Sequence, residues 1–297
     1  MASRLADLHR SFTRHLRAEG KAERTATIYG QSITLYSAWL QAQGREATLE
    51  ELDRAAIRAW LAGLVELQSL STVRIRHKGL HRFCSWLVEE GELAANPMAA
   101  LVAPVAAAKP VPVLSDDQLA ALMRVCTGRD FRDRRDEALI RVLLDAGVRV
   151  SEACGLSVAG LDLDQGMAMV TGKGSKIRPV YVSARTVRSL DRYLRARAGQ
   201  RWAHLDALFI TQRGALTPDG ARDRIALRGQ QAGIPGLHPH QFRHTFAHDF
   251  LMAGGQERDL KRLAGWSSDI MLARYGASAA DARAKAAAQR MKRGDRV

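Results

Sequence analysis

Residues 237–244 read Leu237-His238-Pro239-His240-Gln241-Phe242-Arg243-His244 and run on through Thr245-Phe246-Ala247-His248-Asp249-Phe250. Pro239 suits the first turn of a helix, where the N–H it lacks would have no partner, and its fixed φ sets the register of the next turns. Phe242, Phe246 and Phe250 then recur every four residues on one face, while His240 and Arg243 share another. The spacing predicts a helix that buries its aromatic stripe and turns His240 and Arg243 toward a cleft. That pair suits phosphoryl chemistry, because imidazole moves or orients protons near neutral pH and a guanidinium neutralises developing charge. His240, His244 and His248 are also four apart, the spacing of a metal-binding face. Against a metal stand the permanent cation Arg243, the lack of a Glu after the first His, and the lack of a third ligand cluster. No metal is expected, and one or two of these histidines read as structural.

Upstream, Gly147-Val148-Arg149-Val150-Ser151-Glu152 reads as a helix stop followed by the opening of another helix. An arginine there faces an anion-favouring end, and its planar fork can hold two phosphate oxygens. A structural Arg149 paired with Glu152 is the other reading of the same residues. Between Leu161 and Val182 the pattern changes to short extended runs, Met167 to Val170 and Pro179 to Val182. Gly172-Lys173-Gly174-Ser175 separates them, which makes a hairpin with a basic turn carrying Lys173, Lys176 and Arg178.

Downstream, Leu263-Ala264-Gly265-Trp266-Ser267-Ser268 reads as a helix stop, a tight turn and a new N-cap, leading through Met271 and Leu272 to Arg274 and Tyr275. Tyr275 then ends a short helix. By itself, a tyrosine so placed reads as half-buried packing with its hydroxyl at the surface.

The first hundred residues read as four helices. Leu5, Leu8, Phe12 and Leu16 line the first, which stops at Gly20; the second follows a cap at Thr25 and closes at Gly44. The third starts near Asp53, and the fourth follows Ser71 and Thr72 and ends before Gly91. Four short helices make a small bundle. The last carries Arg74, Arg76, His77, Lys78 and Arg82 around its apolar stripe, a density that suits a helix laid against DNA and also a solvated face. From Leu101 to Val113 the chain is low in charge and holds Pro104, Pro110 and Pro112, which oppose helix. The expected organisation is a domain over 1–102, a linker over 103–113 and a second domain over 114–297. The second opens with Ser115 and Gln118 as a capping box and continues with a helix from about Asp136 to Ala146. It is mainly helical with one small antiparallel sheet.

With 297 residues and 46% hydrophobic content, the chain can bury two cores of ordinary size. A formal net charge of +14 implies a polyanionic partner, with nucleic acid first and solvated helix faces as the plain alternative. Three cysteines in unrelated contexts, Cys84, Cys126 and Cys154, indicate neither a disulfide framework nor a Cys-rich zinc site. No apolar stretch reaches transmembrane length, and Arg4, Asp7 and Arg10 stand where a signal peptide needs an apolar core, so a cytoplasmic protein is expected.

Taken together, these segments resemble the tyrosine recombinase, or phage integrase, family over nearly the whole chain, with a Xer-like site-specific recombinase as the nearest type. Gly147 to Glu152 resembles the family's first arginine box, and Thr171-Gly172-Lys173-Gly174 its hairpin lysine. His240 and Arg243 match its His-x-x-Arg pair, and Leu263 to Ser268 its terminal box, with Tyr275 nine residues after Trp266. The bundle ending in Asn96-Pro97 resembles its core-binding domain. Two departures stand out: Trp266 occupies a position where most members have histidine, and His238 replaces the usual Ser or Thr. An indole N–H still donates to a phosphate oxygen but cannot shuttle a proton.

The resemblance implies a mainly α fold, with an N-terminal four-helix, SAM-like core-binding domain and an α-rich catalytic domain of the DNA breaking-rejoining type. It implies Tyr275 as nucleophile, Arg149, Lys173, His240, Arg243 and Trp266 as its catalytic companions, and Glu152 in support. Arg74, Arg76, Lys78, Arg82, Lys176 and Arg178 are the expected DNA contacts. No cofactor is implied. The implied partners are double-stranded DNA with paired half-sites and further copies of the chain, a dimer per site and a tetramer in synapsis, with a paralogous recombinase as a further candidate. A type IB topoisomerase-like enzyme and a catalytically silent DNA-binding relative are the alternatives. The segment from Ala277 onward, with Arg283, Lys285, Arg290 and Lys292, reads as a helix packed on a neighbouring protomer or as a basic tail.

Overall fold

A computed structural model describes residues 4–105, 112–172, 174–266, 268–269, 271–272, 280, 283–285 and 287–290. The chain divides into two compact units, Met1–Lys109 and Pro110–Val297.

The first unit is built from α1 (Leu5–Ala18), α2 (Glu23–Ala42), α3 (Arg54–Leu67) and α4 (Leu70–Glu89). Asp53 caps α3 by accepting from the N–H groups of Ala55 and Ala56. Two caps fall elsewhere than the sequence suggests. Helix α2 begins two residues before Thr25, behind Ala22, and α4 is capped by Ser69, whose hydroxyl accepts from Thr72 N–H at 3.3 Å. Helices α2 and α4 approach closely where Gly79 faces α2, since a Cβ there would lie 3.1 Å from Tyr29 Cα. Phe12, Phe83 and Trp86 cluster in the core, and Tyr36 packs on Trp60 with ring centroids 5.3 Å apart. Beyond α4, Asn96 Nδ2 donates to Ser85 Oγ at 2.9 Å and a ring nitrogen of His77 lies 2.8 Å from Leu101 O, so the exit of the unit is tied back to α4.

The second unit contains α5 (Asp116–Arg124), α6 (Phe131–Ala146), α7 (Val150–Cys154), α8 (Ala184–Ala198), α9 (Pro218–Gln231), α10 (Pro239–Met252) and α11 (Glu257–Ala264). Its three-stranded antiparallel sheet runs β1 (Leu161–Asp162), β2 (Met167–Thr171), β3 (Ile177–Tyr181), with Val170 opposite Arg178 and Ala168 opposite Val180. A second ribbon, β4 (Ile210–Thr211) with β5 (Gly214–Ala215), adds to the single sheet that the sequence predicts. Ser115 and Gln118 form the expected capping box of α5.

Helix α6 lies in the core through Leu139, Ile140, Val142 and Leu143, which are buried with Val148, Leu190, Tyr193 and Phe242. It begins at Phe131, five residues before the expected start, capped by Asp130. Its charged run contributes core residues: Asp136, 1% exposed, accepts from Arg135, Arg224 and Arg228. A separate small cluster joins Ala247 and Leu251 of α10 to Leu260 and Ala264 of α11 and to Trp266. All three cysteines are free and buried, and burial pushes the Cys84 and Cys126 thiols up to about 12. Among the described residues no helix is long and apolar enough to cross a membrane.

Candidate active site

Gly147 ends α6 in the left-handed conformation, φ +55°. A Cβ there would lie 2.2 Å from Cδ1 of Phe246, so the close approach of α10 also demands glycine. Two residues on, Arg149 occupies the N-cap position of α7. Its peptide N–H donates to Glu152 Oε2 at 2.9 Å and its Nη1 donates to Oε1 at 2.7 Å. Glu152 is 4% exposed, whereas the Arg149 side chain is 36% exposed, so the carboxylate is the anchor and the guanidinium reaches solvent. Arg149 is thus paired with Glu152, and its side chain still reaches solvent.

Arg178 Nη2 also donates to Glu152 Oε2, at 3.0 Å. Two guanidiniums share one carboxylate, which leaves the trio with a formal charge of +1. Burial pushes the Glu152 carboxyl upward, but the hydrogen bonds from Arg178 and from the Arg149 peptide and the two nearby cations outweigh it. The net result lies below the ordinary carboxylate range, and the group stays ionised at neutral pH.

On α10, Pro239 stands in the first turn and Gln241 Oε1 accepts from His238 N–H at 2.9 Å; the His238 side chain forms no cap. His240 is exposed. Arg243 is not on an open cleft wall: it is 1% exposed. Its Nη1 donates to Gly147 O at 2.5 Å and its Nη2 to Ala264 O at 2.7 Å, tying the C-terminal ends of α6 and α11 together. Both of these contacts are carbonyl oxygens, and together they fix the plane of the guanidinium. Thr245 closes the arrangement by accepting from Leu114 N–H at 3.0 Å, a contact that no sequence pattern announces.

Helix α11 ends at Gly265 with φ +65°, the expected stop. Trp266, 6% exposed, packs in the cluster between α10 and α11, with the Arg243 guanidinium 5.3 Å from its ring centroid. Met271 and Leu272 pack against the same cluster. Lys173, Arg274 and Tyr275 lie outside the described residues.

Among the expected DNA contacts, Arg74 and Lys78 are exposed one turn apart on α4, and Lys176 is exposed beyond Gly174 and Ser175, both at positive φ. Arg76 donates to Gln31 at 3.2 Å, Arg82 to Glu19 at 2.7 Å and to Glu89 at 2.9 Å, and Arg178 turns inward to Glu152. Among the described residues no group of three His, Cys, Asp or Glu side chains is arranged to hold a metal ion.

The phage integrase family profile matches residues 112–282, and the profile of the phage integrase N-terminal SAM-like domain matches residues 10–91. Tyrosine recombinase XerC of Xanthomonas campestris pv. campestris (strain B100) is 32% identical over 261 residues, spanning 86% of this chain and 79% of the relative. Tyrosine recombinase XerD of Shewanella oneidensis is 30% identical over 255 residues, spanning 84% of each. Among solved structures, XerH recombinase bound to palindromic difH substrate superposes with TM-score 0.75 at 19% identity, over 91% of this chain and 81% of that one. A lambda integrase tetramer bound to a Holliday junction gives TM-score 0.73 at 15% identity, over 92% and 77%. These two likenesses speak to the fold.

Proposed function

The chain belongs to the phage integrase family of tyrosine recombinases, site-specific enzymes that cleave and rejoin DNA, and from that premise we propose how its own residues divide the work. Tyr275 attacks the scissile phosphorus. A phosphorus–oxygen bond to the tyrosine forms as the bond to the 5′-oxygen breaks, leaving a 3′-phosphotyrosyl link and a free 5′-hydroxyl. A partner strand's 5′-hydroxyl reverses the step, so the bond energy is kept and no nucleotide is consumed.

The observation that carries this reading is the meeting of two arginines at one turn. Arg243 holds the Gly147 carbonyl, and Arg149 follows two residues later with its charge facing solvent. Charge on the non-bridging oxygens grows in the pentacoordinate state, and preorganised cations there are worth roughly 100- to 1000-fold each. Arg243 acts from a site already dry, where its charge is weakly screened. Lys173 protonates the leaving 5′-oxygen, and exposed His240 takes or orients the tyrosine proton. Trp266 serves as a packing wall for Arg243 and as a hydrogen-bond donor.

Arg74, Lys78 and Lys176 contact the DNA backbone. The protein works as a dimer on each site and a tetramer in synapsis, in the cytoplasm where its substrate lies, in integration, excision or dimer resolution. A nicked suicide substrate drawn from genomic fragments tests the assignment: wild-type protein is expected to become covalently attached, and Tyr275→Phe to bind equally well without attachment. An adduct that persists in Tyr275→Phe removes Tyr275 from the role.

A further inference from the structure

Arg178 sits on the inward side of β3. The strand alternates, so Arg178 shares a face with buried Val180, and it pairs in register with buried Val170 of β2. Its guanidinium is spent on the protein: Nη2 donates to Glu152 Oε2 at 3.0 Å and Nε to Leu263 O at 3.1 Å. Around it the contacts close a ring. Glu152 holds Arg149; Leu263 is followed by Ala264, whose carbonyl accepts from Arg243; and Arg243 reaches Gly147, two residues before Arg149. Gly265 leaves room for this packing, since a Cβ on it would lie 2.9 Å from Arg178 Cζ.

Resting on the recombinase reading, we infer that Arg178 is a positioning residue for cleavage and not a DNA phosphate contact. It locks Glu152, and through it the Arg149 guanidinium, against the turn that carries Trp266. Glu152 is nearly sealed from water and both of its oxygens accept from Arg149, Oε1 from the side chain and Oε2 from the peptide N–H; without Arg178 this local pair loses its link to β3 and to Leu263 and is freer to shift as a unit. The link through Arg178 removes that freedom. A misplacement of about 1 Å at such a site is enough to cost on the order of 100-fold in rate.

Arg178→Gln and Arg178→Lys, assayed on the DNA that wild-type protein captures, separate the two roles. A lost phosphate contact flattens the slope of log affinity against log salt by about 0.9 and leaves the adduct rate at saturating DNA alone. A lost positioning contact does the reverse: the slope is kept and the rate falls roughly 10- to 100-fold, with Lys intermediate because it returns the charge without the fork. Unchanged affinity also reports that the variant is folded. The pH profile adds a readout that a general loss of structure does not produce. In Arg178→Gln, Glu152 keeps its burial and loses a cation, so the acid limb of the adduct rate moves toward neutral pH; Glu152→Gln in the same background abolishes that movement. A flattened slope with an unchanged rate overturns the inference. Failure of wild-type protein to form any adduct strikes instead at the recombinase reading. In that case the inference stands or falls on melting temperatures, where additive effects of Arg178→Gln and Glu152→Gln overturn it and coupled effects sustain it.

Discussion

Arg243 Nη1 lies 2.5 Å from the carbonyl oxygen of Gly147, and the same guanidinium reaches Ala264 O at 2.7 Å, so one buried side chain caps the C-terminal ends of two helices. A residue that met only the substrate would cost rate and no stability when replaced. Arg243→Lys keeps the charge but cannot reach both carbonyls in one plane. Leaving buried carbonyls unsatisfied costs about 1–3 kcal/mol, which for a unit of this size lowers the melting temperature by several degrees at about 2–4 °C per kcal/mol. We expect that fall together with a loss of adduct of roughly 100-fold or more. Calorimetry and a denaturing-gel adduct assay read the two effects; a full-stability Lys variant contradicts the capping role.

Gly147→Ala places a methyl against the Phe246 ring at a backbone angle of φ +55°. Both effects act on the turn that holds Arg149. The strained conformation costs on the order of 1 kcal/mol, and a core that must move for a new methyl adds about 1–3 kcal/mol. The expected outcome is a lowered melting temperature and an adduct rate well below wild type. Gly147→Ala with Phe246→Leu, which clears the ring, is expected to recover part of the stability but not the strain. No recovery in the pair would mean that the ring is not the obstacle.

Much of this geometry is visible in the sequence wherever a single residue has one local job. Pro239, the Ser115 and Gln118 box, the Asp53 cap and the stops at Gly147 and Gly265 each act within four residues. The misplaced cap of α4 has a local cause too: Ser69, Ser71 and Thr72 compete within one turn, and only the backbone decides among them. The early start of α6 is hidden because Arg135 and Asp136 occupy core positions and break the apolar period. The β4–β5 ribbon has two residues per strand, too few for alternation to register. Periodicity does set Arg243 apart from the Phe242 stripe, but its burial comes from the ends of α6 and α11 closing over it, a long-range event. Arg178 lies one residue before the expected run Pro179 to Val182, so its place on the same side as Val180 emerges only with β3 starting at Ile177.

Asp136 offers a test of stability that leaves the chemistry alone. Along α6 it lies eleven residues before Gly147, about 16 Å at 1.5 Å per residue. Burial raises its pKa, but Arg135 and Arg224 outweigh burial and hold it below the ordinary carboxylate value. A group depressed in the folded state stabilises fully above its unfolded pKa, and that contribution fades as pH falls through the folded value. Wild-type stability is therefore expected to hold steady from neutral pH down to about 4.5 and to drop below about 4. Asp136→Asn strands buried guanidiniums and is expected to cost about 3–5 kcal/mol at neutral pH. The gap between the two proteins should narrow in acid, as read by melting curves across pH. A gap that widens in acid reverses the sign of the linkage and rules out the ionised carboxylate as its source.

The face of α4 separates arginines that are already engaged from those offered to solvent. Arg82 bridges Glu19 and Glu89, and Arg76 donates to Gln31, whereas Arg74 and Lys78 are exposed one turn apart. Each phosphate contact contributes about 0.9 to the slope of log affinity against log salt. Replacing Arg74 and Lys78 together by Gln is therefore expected to flatten that slope by about 1.8, equally on specific and unrelated duplexes, with the adduct rate at saturating DNA unchanged. Arg82→Gln should leave the slope nearly intact and remove only surface pairing, worth about 0–1 kcal/mol of stability. Titrations of a fluorescent duplex across a salt series measure both. If Arg82→Gln flattens the slope as much as Arg74→Gln, then Arg82 trades its carboxylates for phosphates on binding, and the division of this helix into engaged and available cations fails.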